Sequence, residues 1–141
     1  MIKEFKNEYS WLSNFTPCSI EFAGFIYPSV EHAYVASKTL DQFERGMIQL
    51  MKEPEKVKRF GRTLELRKDW EKIKIDMMIQ FTAYKYSHYN PVLRKLLLDT
   101  GEEHIQEGNN WNDKFWGVCL KTGIGKNRLG KIIMYRRENL F

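Results

Sequence analysis

A glutamate and a lysine stand seven residues apart in segment 29–38, at Glu31 and Lys38. Seven residues make about two helical turns, so in a helix both side chains project from nearly the same face. A carboxylate in the first turn is favoured in its ionised form by the helix dipole, and it can stabilise positive charge at a ribose C1′ or activate water. The ammonium can hold a phosphate or, if burial lowers its pKa, act as a nucleophile. From spacing alone, an ordinary solvated helix face is the commoner arrangement.

A second candidate face lies on a later, longer helix. At spacings of four, three and four residues it carries Lys74, Met78, Phe81 and Lys85. Arg67 precedes this helix. Spacing alone is also satisfied by a core helix whose lysines extend along its edge towards solvent.

Two loops rich in polar and aromatic residues are further candidates. Segment 107–117 has Glu107, Asp113, Trp116 and Gly117, which suit stacking and orientation of a ligand, although its tryptophans can equally fill the core. Segment 123–130 has Gly125 and Asn127 beside basic residues, just before a predicted helix, and suits a phosphate. The aromatic segment 9–15, with Trp11 and Asn14, is either a lid or an aromatic plug.

The elements that position these residues are mostly helical. Ile20–Phe22 and Phe25–Tyr27 flank a turn at Ala23-Gly24 and predict a hairpin. Helices are predicted over residues 30–38 with Ser29 as N-cap, 41–51 with a capping box at Asp41 and Glu44, 54–61, 68–87, 91–99 and 127–136, and a short strand over 104–106. In the long helix Trp70, Ile73, Met77, Phe81 and Tyr84 form an apolar stripe, and Val92, Leu93, Leu96 and Leu97 form the next buried face. We therefore expect one predominantly helical α+β domain over residues 1–141 with a small N-terminal hairpin.

Composition sets broader limits. The net charge of +5 favours anionic partners, although the 23 basic residues are spread along the chain. The two cysteines and three histidines lack zinc-ligand spacing, so no metal and no cofactor are expected. No signal peptide and no apolar run of about 20 residues is present, which predicts a cytoplasmic protein without membrane contact. The oligomeric state is left open.

Taken together, the segments resemble the YbiA-like or NADAR family in their order and spacing, over nearly the whole chain. The matching pieces are Leu12–Phe15, Ser29–Lys38, Gly61-Arg62, Leu66-Arg67-x-Asp69-Trp70-x-x-x-Lys74, Met78, Lys85, Leu97, Thr100-Gly101, Glu107, Asp113-x-x-Trp116-Gly117, Gly125-Lys126-Asn127-x-Leu129-Gly130 and Met134-x-x-Arg137.

The resemblance implies N-glycosidase chemistry on a ribose C1′–N bond. The known substrates of this family are phosphorylated ribosylamino intermediates of riboflavin synthesis and ADP-ribose attached to guanine in nucleic acid. It implies catalytic residues among Glu31, Lys38 and Lys85. The substrate-binding set that it implies is Asn14, Trp11, His32, Arg67, Trp70, Met78, Glu107, Asp113, Trp116, Gly117, Gly125 and Asn127.

Our leading hypothesis has Glu31 stabilising an oxocarbenium-like state or activating water, and Lys38 holding phosphate or ring oxygens. A transient imine at Lys38 or Lys85 is a less favoured variant. Trp116 and Trp11 would stack on the base, with Asp113 and Asn127 orienting ribose hydroxyls. The rivals are a module that binds ADP-ribose or NAD-like ligands without cleaving them, and a nucleic-acid-binding or partner-binding protein with a vestigial pocket. Net charge leans slightly towards a nucleic-acid substrate.

Overall fold

The computed structural model describes residues 1–140. Contacts between Cα atoms divide it into two compact units. One unit is Asn14–Lys85, and the other combines Met1–Ser13 with the chain from Tyr86 onward. The expectation of one domain over residues 1–141 stays a prediction.

The first unit opens with the predicted hairpin. Strands β1 (Ile20–Phe22) and β2 (Phe25–Tyr27) pair antiparallel, with Ile20 opposite Tyr27. The turn between them places Ala23 and Gly24 at positive φ, 50° and 88°. A two-residue turn of this kind matches the right-handed twist of the flanking strands, and glycine adopts it without steric cost. The hairpin prediction is confirmed.

Four helices complete this unit: α1 (Val30–Ser37), α2 (Gln42–Leu50), α3 (Pro54–Gly61) and α4 (Trp70–Lys85). The predicted N-caps are confirmed, because the Ser29 side chain accepts from the His32 N–H and the Asp41 carboxylate accepts from the Glu44 N–H. The other half of the predicted capping box is absent, since the Glu44 carboxylate accepts from the Thr39 hydroxyl instead (2.6 Å). Helix α1 packs against the other three helices and is buried over most of its length.

The buried face of α4 differs from the predicted stripe. Trp70 and Phe81 are buried as expected, whereas Ile73, Met77 and Tyr84 are only half-buried. The face turned inward carries Trp70, Met78, Phe81, Thr82 and Lys85. The predicted stripe was therefore displaced by about one residue from the face that is buried. Apolar residues lie on more than one side of this helix, so the apolar pattern alone did not distinguish the two neighbouring faces.

The second unit is built from short elements. A 3-10 helix (Asn7–Leu12) is followed, after the first unit, by α5 (Pro91–Asp99), β3 (Gly108–Asn109), β4 (Val118–Cys119) and α6 (Arg128–Glu138). Strands β3 and β4 pair parallel over two residues. Two predictions need correction here. The expected strand near His104 is only an isolated bridge between Ile2 and Ile105, and Val92, expected to be buried, is 72% exposed in the first turn of α5.

The helix-rich α+β class with a small hairpin is confirmed by this arrangement. Within residues 1–140 we find no helix with both the length and the apolar character needed to cross a bilayer.

Candidate active site

Glu31 lies in the first turn of α1, and its backbone N–H donates to the Asn14 carbonyl (3.0 Å). Its side chain is half-buried. Burial raises the pKa of this carboxyl, and the positive charges of Lys58 and Lys38 oppose that rise. Desolvation disfavours the ionised form and nearby cations favour it. Glu31 is therefore a carboxylate whose ionisation depends on its cationic neighbours.

Lys38 is the C-cap of the same helix. Its ammonium lies 5.5 Å from the centre of the Tyr34 ring and 6.0 Å from that of Trp70, and these two rings meet edge to face at 5.2 Å. Such distances allow cation–π attraction. Desolvation lowers the pKa of Lys38 and the charge of Glu31 raises it, whereas the predicted placement of both side chains on one face stays a prediction.

Three further cations surround Lys38. The charges of Arg62, Lys58 and Lys74 all lower its pKa. Lys58 belongs to α3, Arg62 is the C-cap of α3, and Lys74 belongs to α4, where it also pairs with Glu71 at 2.5 Å. We call Lys38, Lys58, Arg62 and Lys74 the cationic cluster. Of these four cations, Lys38 and Lys58 act on the Glu31 carboxylate, and the like charges that act on Lys38 repel it, so an anionic ligand would reduce this repulsion.

Lys58 was not selected from the sequence. A signal for it exists at Gly61, three residues later, where an added Cβ would lie 3.1 Å from both Cγ atoms of Val35. The missing side chain lets α3 approach α1 closely, and this approach brings Lys58 towards Glu31. The sequence shows the glycine but not the helix that it packs against.

Arg67 and Asp69 join α1 to α4. The Arg67 side chain donates from Nε to Asp69 Oδ1 (2.6 Å) and from Nη2 to Oδ2 (3.1 Å), and this pairing lowers the pKa of Asp69. The backbone N–H of Arg67 donates to the Lys38 carbonyl (2.8 Å). Arg67 thus holds the end of α1, where Lys38 lies, against the start of α4.

Three predicted binding residues of this unit make internal contacts. His32 is 1% exposed, with Nδ1 at 2.5 Å from the Ser29 hydroxyl and Nε2 at 2.8 Å from the Met51 carbonyl, so both ring nitrogens are occupied. The Asn14 amide donates to the sulfur of Met78 (3.7 Å), which is itself buried. In this structure these residues support α1 and α4 around Glu31.

Lys85 differs from Lys38 in its surroundings. It is 2% exposed, and burial lowers its pKa to about 7. Cys18 is among its titratable neighbours, and burial raises the pKa of that thiol, whereas the charges acting on Glu31 and Lys38 come from each other and from other members of the cationic cluster. A side chain so fully covered meets a substrate only after the structure opens. The catalytic role considered for Lys85 stays a prediction that its burial disfavours.

In the second unit, the loop between β3 and β4 is held by its own polar side chains. The Asn109 amide donates to Glu107 Oε2 (3.2 Å) and to the Asp113 carbonyl (2.9 Å), and its oxygen accepts from the Asp113 N–H (2.9 Å). The Asp113 carboxylate accepts from the N–H groups of Phe115 and Trp116, each at 3.0 Å. Asp113 therefore shapes the turn that carries Trp116.

The aromatic residues of this unit are partly open to solvent. Phe115 and Trp116 meet edge to face at 4.8 Å, and the Arg128 guanidinium lies 4.1 Å from the centre of the Phe115 ring. Trp116 is half-buried, as is Trp11, which meets Tyr86 edge to face at 6.2 Å. Ring faces that are only half covered are suitable for stacking on a planar ligand.

Asn127 and the neighbouring glycines are required by the backbone. The Asn127 amide, 6% exposed, donates to the Ile105 carbonyl (3.0 Å) and accepts from the Glu107 N–H (2.9 Å). Gly125 has φ +154°, and an added Cβ would lie 2.2 Å from the Gly117 carbonyl oxygen. A Cβ on Gly117 would in turn overlap the Glu107 carboxylate. These three positions bring the strands and α6 together.

The predicted site residues thus form one group in each unit. The group in Asn14–Lys85 holds Glu31, Lys38 and Trp70, to which the structure adds Lys58, Arg62 and Lys74, and the group in the other unit holds Trp11, Glu107, Asp113 and Trp116 with their supporting glycines.

Comparison of the chain with known proteins identifies its relatives. The NADAR domain model matches residues 2–141. N-glycosidase YbiA of Escherichia coli is 36% identical over 95% of this chain and 83% of its own length, and an N-glycosidase of Nostoc punctiforme is 34% identical over 94% and 86%. A riboflavin biosynthesis protein of Zea mays, described as chloroplastic, is 36% identical over 91% of this chain, which spans 23% of that protein.

The fold is similar as well. The NMR structure of Escherichia coli YbiA superposes with a TM-score of 0.82, at 33% identity, over 99% of this chain and 86% of that one. The match of a family model over nearly every residue, relatives above 30% identity and a shared fold lead to one conclusion. The chain belongs to the NADAR domain family.

Proposed function

We propose that this chain is an N-glycosidase that hydrolyses the bond between a ribose C1′ and the nitrogen of a base or base-like group, on a substrate that carries phosphate. The observation that carries the proposal is the half-buried Glu31 beside the cationic cluster. Family membership and the names of the relatives, which are N-glycosidases, support the reaction class.

In the proposed reaction the C1′–N bond breaks as positive charge develops at C1′ and the ring oxygen. Glu31 stabilises this charge as a carboxylate, or accepts a proton from the water that attacks C1′. The water oxygen becomes the new hydroxyl of the ribose, and its proton balances the one taken up by the departing nitrogen. Burial raises the pKa of Glu31, and the positive charges of Lys58 and Lys38 oppose this rise and so favour the carboxylate form.

The cationic cluster binds the phosphate in this proposal. Lys38, Lys58 and Arg62 offer point charges and a planar guanidinium, both of which pair well with phosphate oxygens. Their mutual repulsion, which lowers the pKa of Lys38, is relieved when an anion binds. Binding energy gained on phosphate can then be used to orient the ribose at Glu31.

That Trp116 and Trp11 stack on the base stays a prediction, and both rings are partly exposed within their own unit. The proposal that Asp113 and Asn127 orient ribose hydroxyls is weakened by their internal hydrogen bonds, since Asp113 accepts from two backbone N–H groups and both amide atoms of Asn127 are occupied. We therefore assign them to the support of Trp116 and Glu107. An imine at Lys38 remains a variant of the mechanism, favoured by the lowered pKa of its amine.

Two substrates fit this chemistry. Relatives named as riboflavin biosynthesis proteins point to phosphorylated ribosylamino intermediates, and the net charge of +5 is compatible with ADP-ribose on guanine in nucleic acid. Both present a ribose C1′–N bond near phosphate. We propose that the protein acts on one of them in the cytoplasm, as a single domain over residues 1–141.

The test is to incubate the purified protein with each substrate side by side and to follow the products by chromatography. Release of ribose phosphate or of ADP-ribose supports the proposal and identifies the substrate. Tight binding of ADP-ribose by calorimetry with no release from either substrate would instead show a binding module. Salt-sensitive DNA binding that survives Lys38→Gln, with no release, would show a nucleic-acid-binding protein.

A further inference from the structure

The outer face of α2 is apolar, although it is turned towards solvent. Leu40, just before the helix, and Phe43, Met47 and Leu50 within it are 64%, 76%, 38% and 80% exposed. Within the helix, the spacing of four and three residues places Phe43, Met47 and Leu50 on one stripe, as in the seam of a coiled coil, and Leu40 precedes the N-cap Asp41. A surface helix normally presents polar residues on this side.

The inner face of α2 already packs against the rest of the unit, so the exposed stripe is not a face that the helix would bury by rotating about its axis. Ile48 is fully buried, and the Arg45 side chain donates from Nε to the carbonyls of Ala36 (3.2 Å) and Thr39 (3.0 Å). The same guanidinium lies 5.0 Å from the centre of the Phe22 ring. These contacts fix the rotation of α2 about its axis and leave the stripe outside.

The hairpin extends the apolar surface. Ile26 of β2 is 59% exposed, and the Gln49 amide of α2 donates to its carbonyl oxygen (3.1 Å). We call Ile26, Leu40, Phe43, Met47 and Leu50 the α2 patch. Burial of the aromatic Phe43 removes about 150–250 Å² from water, and the other four apolar side chains of the patch add to this area. Isolated exposed apolar residues need no explanation, but a contiguous patch of this size often marks an interaction site.

We propose that the α2 patch binds the same patch of a second copy of this chain, with the two α2 helices antiparallel about a twofold axis. In this arrangement Leu40 faces Leu50 of the second copy, and Phe43 faces Met47. A standard interface buries roughly 800 Å² per partner, so the side chains that border the patch also contribute to this interface. A twofold interface is the common way for one self-complementary surface to be covered.

Charge complementarity favours a second copy in this antiparallel orientation. The exposed acid Asp41 lies at the N-terminal end of α2, and the exposed Lys52 lies just beyond its C-terminal end. Antiparallel pairing brings each Asp41 towards the Lys52 of the other copy and opposes the two helix dipoles favourably. Parallel pairing would bring like charges together at both ends.

The experiment is sedimentation velocity over a range of concentrations. The chain of 16.9 kDa should sediment with twice that mass at micromolar concentration. Phe43→Glu places a charge in the seam and should weaken self-association at least about thirty-fold. Val92→Glu, at a position that is 72% exposed in α5 and outside the patch, is the matched control and should leave self-association unchanged.

A mixing experiment tests the orientation. Leu40→Lys and Leu50→Glu should each be monomeric alone, whereas an equimolar mixture should form a dimer, because an antiparallel pair contains one Lys–Glu contact and one Leu–Leu contact. A monomeric parent chain at all concentrations, or equal weakening by Phe43→Glu and Val92→Glu, would overturn the proposal. A mixture that stays monomeric would overturn the antiparallel arrangement.

Discussion

Replacement of Asn127 by alanine is expected to destabilise the protein through two lost hydrogen bonds. The Asn127 amide serves the Ile105 carbonyl (3.0 Å) and the Glu107 N–H (2.9 Å) in a position that is 6% exposed. Leaving a buried partner unsatisfied costs about 1–3 kcal/mol. Two such partners give a loss of about 2–6 kcal/mol, a large share of the roughly 5–15 kcal/mol that holds a small domain folded.

The backbone of Asn127 adds a second cost, because its φ of 51° lies in the left-handed region. A non-glycine residue without a side-chain hydrogen bond pays roughly 1–2 kcal/mol there. Asn112 isolates this contribution, since it has φ 65° and is exposed. Asn112→Ala should therefore show the backbone cost alone, and the difference between the two variants should equal the cost of the hydrogen bonds.

The assay is urea unfolding followed by circular dichroism, supported by thermal melts. For a chain of this size we expect Asn127→Ala to lower Tm by roughly 10–20 °C. Equal losses of stability in Asn127→Ala and Asn112→Ala would show that the two hydrogen bonds of the Asn127 amide do not contribute the additional loss. Unchanged stability with a raised KM would restore the role in which Asn127 orients the substrate.

Three further predictions concern Ser29, Lys58 and Lys85. Ser29→Ala should cost about 2–4 kcal/mol in urea unfolding, because α1 loses its N-cap and the buried imidazole loses a partner; a loss below about 0.5 kcal/mol would contradict this. If ionised Glu31 is required, Lys58→Gln should shift the acid limb of the activity profile to higher pH, because a charge that lowers the pKa of Glu31 is removed. Lys56→Gln, on the exposed side of α3, should not shift it. Lys85 has a pKa of about 7 in the folded state, below its ordinary 10.5, so the unfolded chain binds more protons and stability should rise between pH 7 and 8.5, by up to about 1.4 kcal/mol per pH unit. Lys85→Met should remove this rise, and the same slope in both proteins would exclude the explanation.

Local features of the fold were predictable because their causes lie within a few residues. Ser29 caps α1 and the Ala23-Gly24 turn closes the hairpin through contacts that span three or four positions. Pro54 likewise begins α3 where its fixed φ and missing N–H cost nothing. The sequence also predicted the helix that carries Glu31 in its first turn and ends with Lys38 as its C-cap.

Features that depend on packing between helices were not predictable in this way. The sequence pattern is compatible with Lys85 at the solvent edge of α4, whereas its side chain is fully buried in the structure. Val92 reads as core and is exposed. Lys58 becomes part of the candidate site only because Gly61 packs on Val35, a contact that no local pattern contains.

The proposed reaction depends most directly on Glu31, and the decisive measurement is kcat for release of ribose phosphate or ADP-ribose by Glu31→Gln. Gln keeps the shape of the side chain and removes its charge, so kcat should fall about 10²–10⁴-fold, with Tm unchanged. Glu55→Gln, at an exposed position on α3, is the control and should keep full activity. Activity of Glu31→Gln within about threefold of the parent protein would contradict the account, since catalysis would then not depend on the carboxylate that the cationic cluster surrounds.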